Sequence, residues 1–459
     1  MIPQRLYGIN TFFIYCKTPI LTKNQNRGII NPMKDNMLLR MTRNDYSFTV
    51  VTKVLSVLIG LVAGFFSAQL LGVALTGNFG YIDALLTTVA VVASFGLYQT
   101  YPFHKKNNEP DALRKFLDIF SLQFVLYTAI GLTLAVVLRS FALAAVCFIA
   151  PIQVLANQLS YMIMVEDVKH KNVVFLTART TNTVIIVLAY FLLVSQRETH
   201  ITLMVALSLV VVGDIITVVM VTRRLGRFGN PLRAEMKFLR KIFGFGCVAM
   251  LNTLLLTVNY RMGTMMLGWM GATNTELGYY TTGISLAGFG WIISDAFREV
   301  LFSRTVRKDA VANVVFSLKI NFYITLVAIA GIAMFGRTAI LILRGAAFLP
   351  AYRVTVILFV GVLSMSYFKL IGTLFLADGR KTAYLVLLSA SALVNIVANW
   401  ITIPRWGIDG AAVSSVLSYT VAGAVFLLYF LKTYKVPMAS LFVFEKGEIP
   451  GLIARIRGR

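Results

Sequence analysis

Charged residues are scarce in this sequence: Asp, Glu, Lys and Arg together make up 14% of its 459 residues. A soluble domain carries about 25%. Acidic residues are the scarcest, with 19 Asp and Glu against 43 Lys and Arg, while hydrophobic residues reach 58%. This composition excludes an ordinary soluble globular protein and indicates a helical integral membrane protein.

Residues with catalytic or metal-binding chemistry are also few. The three cysteines, Cys16, Cys147 and Cys247, have neither metal-ligand nor disulfide spacing. The three histidines form no His-Glu-x-x-His pattern, and the sequence has no Gly-x-x-x-x-Gly-Lys-Ser/Thr loop that would bind and hydrolyse a nucleotide. We therefore expect no enzymatic activity, no cofactor and no metal site.

After residue 46, long apolar segments follow one another along the chain. About 20 apolar residues cross a hydrocarbon core of ~30 Å. The segment 337–350 is too short to cross and is expected to be re-entrant or interfacial. Twelve spans are predicted, at about 48–71, 81–102, 116–138, 141–165, 173–194, 201–221, 242–270, 278–302, 314–336, 351–377, 382–403 and 408–431.

A basic stretch at residues 222–241 divides these spans into two sets of six. It carries seven Lys and Arg against one Glu, with glycine, asparagine and proline as helix breakers. The other basic residues also occur in short runs between apolar segments, so the net charge of +24 is a topology signal rather than a sign of nucleic-acid binding. Most of them fall on the side of the 222–241 stretch, which predicts that both termini are cytoplasmic.

The predicted fold is therefore all-α, with twelve transmembrane helices in two pseudo-symmetric six-helix bundles. Leu-Gly at 71–72 and Gly-Tyr at 80–81 recur as Leu-Gly at 267–268 and Gly-Tyr at 278–279, which favours related halves. The N-terminal tail is either disordered or a translation-start artefact. The predicted parts are this cytoplasmic tail (1–46), the first bundle (47–221), a cytoplasmic connector (222–241), the second bundle (242–431) and a basic cytoplasmic C-terminal tail (432–459).

Several charged residues fall within the predicted spans. One charge at the bilayer centre costs about 2.5–3.5 kcal/mol, so six facing lipid would cost on the order of 18 kcal/mol. That exceeds the ~5–15 kcal/mol net stability of a typical domain, and the charges must face a hydrated cavity or one another. They are Lys53, Arg179, Asp214, Arg261, Asp295 and Lys369, with Arg298 and Glu299 one turn from a cytoplasmic end.

The cations among these residues are candidates for an anion-binding lumen. Guanidinium groups bind phosphate with paired donors, and lysine supplies a point charge. Arg261 and Lys369 carry the most weight, because Lys53 and Arg179 could instead extend to the nearby cytoplasmic interface. Arg298 completes the predicted substrate-binding set.

The acidic residues Asp214 and Asp295 are candidates for ion coupling. Asp295 precedes Arg298 by three residues and Glu299 by four, which predicts a local salt bridge within one helical turn. Asp214 has no partner nearby in sequence. It either pairs with Arg179 or carries a coupling proton.

Two stretches carry a family resemblance. Residues 68–100 contain Leu-Gly, then Phe-Gly-Tyr, then Phe-Gly-Leu where Leu-Gly-Leu is usual. Residues 372–419 contain Ala-Asp-Gly-Arg, a segment with Asn395 and Asn399, an Ile-Pro pair and Gly-Ile-Asp-Gly-Ala-Ala, in the family order. They resemble the polysaccharide (O-antigen type) flippases of the multidrug/oligosaccharidyl-lipid/polysaccharide (MOP) exporter superfamily. With twelve spans, the resemblance covers nearly the whole chain after residue 46.

The resemblance implies two bundles around a central cavity that opens alternately to each side. The implied cargo is an undecaprenyl-diphosphate-linked oligosaccharide, moved from the inner to the outer leaflet of the bacterial cytoplasmic membrane. Membrane lipids, a polysaccharide polymerase and a chain-length regulator would be the other partners. The predicted lumenal cations match the family in type and not at a fixed motif. The alternative is a multidrug or cation antiporter of the same superfamily, which would use carboxylates in the cavity.

Overall fold

The computed structural model describes residues 45–226, 228–304 and 310–443, and every regular element in these ranges is helical. This confirms the predicted all-α class for the described chain. Residues 1–44 and 444–459, which make up most of the two predicted tails, lie outside these ranges. The helices are α1 (Asp45–Ala93), α2 (Tyr101–Lys106), α3 (Ala112–Val137), α4 (Phe141–Glu166), α5 (Val168–Leu192), α6 (His200–Leu225), α7 (Met236–Trp269), α8 (Asn274–Arg304), α9 (Ala310–Arg344), α10 (Ala351–Ala377) and α11 (Lys381–Tyr434).

Most of the described helices have the length and apolar composition of membrane spans. Nine of them are long and apolar enough to cross a membrane, which makes the chain a multi-pass membrane protein. The helix α8 is also long, at 31 residues. It is less apolar than the nine, because threonine, glycine and tyrosine residues interrupt its hydrophobic ones.

The helices α1 and α11 each bend at a glycine. They contain 49 and 54 residues, respectively, whereas one span takes about 20. The helical backbone is interrupted at Gly72 (φ 66°, ψ −174°) and at Gly407 (φ 54°, ψ −128°), where a positive φ favours glycine. The first two and the last two predicted spans therefore belong to two bent helices.

The chain divides into two compact units, Met1–Leu254 and Leu255–Arg459, and the boundary falls inside α7. In the first unit, α1 packs against α4, α5 and α6, and α3 packs against α4. In the second unit, α10 packs against α8, α9 and α11. Buried side chains such as Phe375, Phe426 and Phe430 form the core there, so α10 is the central helix of this unit.

The second predicted span, 81–102, ends earlier than expected. The helix α1 stops at Ala93, and the chain continues as a 3-10 turn, Leu97–Thr100, and the short helix α2. Pro102 lies in the first turn of α2. Proline is favoured at this position, because its missing N–H would have no partner in the first turn. Pro102 therefore belongs to the start of a new helix and not to the end of the span.

Residues 337–344, the first part of the 337–350 segment predicted to be re-entrant or interfacial, continue α9. This helix runs without interruption to Arg344, and a 3-10 turn, Ala346–Phe348, then leads to α10. A separate re-entrant segment was therefore a wrong prediction, because the helix continues past Arg337, whereas an interfacial position for its end stays a prediction. The Arg337 guanidinium lies 5.3 Å from the ring centroid of Tyr352, which accommodates the charge on the side of the helix.

The predicted connector, 222–241, is partly helical. The helix α6 extends to Leu225 and α7 begins at Met236, so helices occupy both of its ends. Between them, the backbone N–H of Asn230 donates to Asp118 Oδ1 of α3 at 2.6 Å. The connector is thus held against α3 inside the first unit.

An ionic cluster ties the turn between α2 and α3 to the beginning of α7. Glu109, in that turn, accepts hydrogen bonds from His104 Nδ1 and from Lys241 Nζ, the latter at 2.9 Å. Burial raises the pKa of Glu109, but the bonds from His104 and Lys241 outweigh this effect and bring its pKa below the ordinary value. These three residues form what we call the Glu109 clamp.

Replacing Gly72 by alanine should destabilise the protein more than replacing Gly407. A side chain in such a backbone conformation costs on the order of 1–3 kcal/mol, and only at residue 72 would the new Cβ also lie 2.6 Å from Glu198 Cδ. Thermal unfolding of the purified variants in detergent measures the difference. Gly244→Ala is the control, since no atom lies within 4 Å of a Cβ there. Equal unfolding temperatures for Gly72→Ala and Gly244→Ala would contradict the strained bend.

Replacing Glu109 by glutamine should lower the stability of the protein at neutral pH. It should also reduce the loss of stability that occurs when the pH is lowered. The folded-state pKa of Glu109 is depressed below the ordinary 4.5. Its stabilisation is therefore fully present above that value and is lost as the pH falls through the folded-state pKa. The effect should be on the order of 1 kcal/mol, because Lys241 is solvent-exposed.

Unfolding temperatures of the wild type and Glu109→Gln, measured from about pH 7 to about pH 3, test this expectation. Glu235→Gln is the matched control, because Glu235 lies 3.6 Å from Lys115 and is 54% exposed, against 17% for Glu109. Parallel pH profiles for the wild type and Glu109→Gln would show that the clamp contributes nothing.

Candidate functional site

A cavity of about 540 Å³ opens inside the second unit. This volume lies in the range of sites that bind small molecules. The walls are mostly aromatic and aliphatic, and the two charged lining residues come from different helices. The lining residues are Leu256 and Tyr260 of α7, Trp291 and Asp295 of α8, Phe368, Lys369, Gly372, Thr373 and Leu376 of α10, and Tyr384 of α11.

Lys369 and Asp295 form an ion pair in the wall of this cavity. Lys369 Nζ lies 3.0 Å from Asp295 Oδ1, and the two side chains are 8% and 38% exposed. A lysine so deeply buried needs a counter-charge, because desolvation disfavours the ammonium. Asp295 is the more exposed partner, so its carboxylate remains open to the cavity.

Aromatic rings surround the Lys369 ammonium. Its Nζ lies 4.8 Å from the ring centroid of Trp291 and 6.0 Å from that of Tyr260. These two rings pack on each other at 5.0 Å, and Tyr419 packs on both. The electron-rich faces of aromatic rings attract cations. The rings therefore help to hold the positive charge at this position.

Hydrogen bonds next to the ion pair fix the helices that carry it. Ser294, which precedes Asp295, donates to Asn321 Oδ1 of α9 at 3.0 Å and bonds to the Ser366 hydroxyl of α10 at 2.5 Å. Ser366 lies three residues before Lys369 on α10. Because these bonds join α8, α9 and α10, they set the distance across which Lys369 meets Asp295.

The structure brings together part of the predicted set. Lys369 and Asp295 meet in the cavity, whereas Arg261, half-buried on α7, is not among its lining residues. The side chains of Arg298 and Glu299 lie outside the described part of the structure. The predicted salt bridge within one turn of α8 stays a prediction, and the structure adds a partner for Asp295 on α10.

The other predicted residues belong to the first unit. Lys53 is exposed on α1. The Arg179 guanidinium lies against Gly60 of α1, where an added Cβ would be 2.0 Å from Nη2, and 5.9 Å from the ring centroid of Phe175. Asp214 Oδ2 is buried without a hydrogen-bond partner among the described residues. Since the Arg179 guanidinium packs on α1, the described chain does not show the predicted pairing of Arg179 with Asp214.

The sequence-based reasoning missed two residues of this site, Tyr260 and Trp291, and one buried charge elsewhere in the second unit, Lys319. Lys319 is only 1% exposed on α9. The rule that selected the other charges would have found it, because it lies inside a predicted span. Tyr260 and Trp291 carry no such signal, since these residue types are common in membrane helices, above all at interfaces. Only the packing shows that their rings face a cavity.

The sequence matches no family model and no curated protein. Solved structures nevertheless share its fold. A multidrug resistance MATE family transporter of the MOP superfamily, in the inward-facing conformation, has a TM-score of 0.63 at 14% identity, over 83% of this chain and 94% of that chain. The lipid II flippase MurJ, in an inward closed conformation, has a TM-score of 0.63 at 13% identity, over 86% of this chain and 88% of that chain.

The likeness extends to a second conformation. An outward-facing MATE family transporter of the MOP superfamily has a TM-score of 0.55 at 15% identity, over 86% of this chain and 95% of that chain. The TM-scores establish the shared fold, and identities this low leave the cargo open. The chain has the fold of the MOP superfamily transporters.

Proposed function

We propose that this chain is a flippase for a lipid-linked oligosaccharide. It moves an undecaprenyl-diphosphate-linked oligosaccharide, an O-antigen or a related polysaccharide repeat unit, from the inner to the outer leaflet of the bacterial cytoplasmic membrane by alternating access. The observation that carries the proposal is the cation Lys369 in the wall of a cavity within a membrane protein. A lipid II flippase shares the fold.

In this proposal the helices form twelve spans in two six-helix bundles. The bends at Gly72 and Gly407 divide α1 and α11 into two spans each. The distribution of Lys and Arg supports a cytoplasmic connector at 222–241 and cytoplasmic termini. The bundles occupy residues 47–221 and 242–431, and rocking of one against the other exposes the cargo to each side in turn.

Lys369 exchanges its carboxylate partner for the diphosphate of the cargo. A diphosphate offers more negative charge and more acceptor oxygens than one carboxylate, so the ammonium can pair with it without leaving its buried position. Asp295 then loses its counter-charge. Because its carboxylate is the more exposed of the pair, water or a proton can compensate it, which gives Asp295 a role in ion coupling.

The remaining predicted residues assist the passage of the cargo in this proposal. Arg261, Arg298, Arg179 and Lys53 provide further positive charges for the headgroup, and Asp214 is a second ion-coupling group. The polyprenyl tail stays in the lipid while the sugars cross through the protein. A polysaccharide polymerase and a chain-length regulator then act on the delivered unit.

A second candidate function is a multidrug or cation antiporter. Asp295 opens onto a cavity walled by Tyr260, Trp291 and Tyr384, and a carboxylate among aromatic rings suits an organic cation. Two of the structures with this fold are multidrug resistance transporters. In that case Asp295 is indispensable and Lys369 is not.

Replacing Lys369 and Arg261 by glutamine, singly and together, should slow translocation. A hydrogen bond to a charged group contributes about 1.5–3 kcal/mol, so its loss weakens binding about 10- to 150-fold. The measurement uses purified protein in proteoliposomes that contain a fluorescent undecaprenyl-diphosphate-linked oligosaccharide. A membrane-impermeant quencher reports the fraction of the lipid in the outer leaflet.

Two controls separate binding from folding. Lys432→Gln removes an exposed lysine at the end of α11 and should leave translocation unchanged. Lys369→Met combined with Asp295→Asn removes both charges, so that no unpaired carboxylate remains, and it should be folded but inactive. Normal translocation by the Lys369 and Arg261 double variant at matched protein levels would contradict the cationic role. Transport of organic cations that is lost only in Asp295→Asn would establish the antiporter instead.

A further inference from the structure

A second cavity, of about 620 Å³, lies in the second unit where α7 ends and α11 bends. Two tryptophans in its wall contact each other. Trp269 is the last residue of α7 and Trp400 lies on α11, and their ring centroids are 5.5 Å apart with the planes inclined at 41°. The two residues are 66% and 57% exposed. They present broad aromatic faces to whatever enters the cavity.

Polar groups accompany the tryptophans. Glu276 Oε2 accepts hydrogen bonds from both the backbone N–H and the hydroxyl of Thr273 at 2.8 Å, which fixes the carboxylate in the wall and leaves Oε1 as an acceptor. Pro404, another lining residue, has no N–H, so the carbonyl of Trp400 lacks its usual helical donor. The cavity therefore combines aromatic faces with a carboxylate held in its wall.

A membrane-interface belt would account for exposed tryptophans in general. Trp406 fits that role: it is 58% exposed at the same bend and is not among the lining residues. Trp269 and Trp400 differ from it, because they pack on each other and wall a cavity that also contains a carboxylate. Interface anchoring requires neither feature.

The cavity's lining indicates which part of a lipid-linked oligosaccharide could bind there. The Glu276 carboxylate repels a diphosphate, and fixed acceptors are poor partners for a polyprenyl chain. A sugar ring suits both the indoles and the carboxylate, since its C–H face packs on an aromatic ring and its hydroxyls donate hydrogen bonds to acceptors. Trp269 lies nine residues after Tyr260 on α7, a rise of ~14 Å. That separation allows sugars to extend away from a headgroup at Lys369.

We propose that Trp269, Trp400 and Glu276, which we call the tryptophan clamp, form a binding site for a pyranose ring of the transported glycan, stacked on the indoles and hydrogen-bonded to Glu276. This inference rests on the proposed function. By the predicted topology the clamp lies at the outer face of the membrane, where the glycan leaves the protein. It gives the second unit a sugar site that is separate from the site for the headgroup.

Saturation-transfer NMR on the detergent-solubilised full chain tests the clamp, with methyl glycosides of glucose, galactose, N-acetylglucosamine and rhamnose as probes. At least one glycoside should receive saturation at its ring protons. Trp269→Ala and Trp400→Ala should reduce the transfer about fivefold or more. Trp400→Phe, which keeps a ring, should retain most of it. Trp406→Ala is the matched control and should behave as the wild type, and thermal unfolding checks that every variant is folded.

Several outcomes would overturn the clamp. They are the absence of transfer to all four glycosides in the wild type, an equal loss in Trp406→Ala, and a tryptophan-dependent transfer to glycerophosphoethanolamine that exceeds the transfer to the sugars, which would make the pair a lipid anchor. Lys369→Gln should keep full sugar binding. Sugar binding by a wild type that moves no lipid-linked oligosaccharide would uphold the clamp and refute the flippase.

Discussion

A buried ammonium needs a counter-charge nearby, and the ion pair between Lys369 and Asp295 meets this requirement in the second unit. The two residues lie on α10 and α8, so the requirement also constrains how these helices pack. Ser366 and Ser294, close to the pair in sequence, bond to each other between the same two helices. The packing of α8 against α10 and the geometry of the ion pair are therefore coupled, and a change in one should alter the other.

The second unit offers two kinds of surface along α7. One is the cavity with the buried ion pair, where the proposed function has Lys369 exchange Asp295 for a diphosphate. The other is the tryptophan clamp, which has aromatic faces and a carboxylate but no cation among its lining residues. Under the proposed function these surfaces correspond to the charged and the neutral parts of one cargo. This separation would let the protein hold a diphosphate firmly while it makes weaker contacts with the sugars.

Composition and the spacing of apolar segments were sufficient to predict a helical membrane protein, and the cost of charge in hydrocarbon selected Lys369 and Asp295. The partner of Asp295 could not be predicted, because it lies 74 positions away and local spacing ranks only neighbours such as Arg298. The positions of helix ends could not be predicted either. Pro102 starts a helix and Arg337 lies within one, since contacts with other helices decide where a charge or a proline is tolerated.

Native mass spectrometry of the full chain with undecaprenyl diphosphate gives the most direct test of the role of Lys369. Binding by the wild type and by Lys432→Gln should be equal, and Lys369→Gln should bind about tenfold more weakly or worse, as expected for the loss of a charge-assisted contact. Undecaprenyl monophosphate, with less charge, should bind the wild type more weakly than the diphosphate. Equal affinity of the wild type and Lys369→Gln for the diphosphate would contradict the claim that this lysine holds the headgroup.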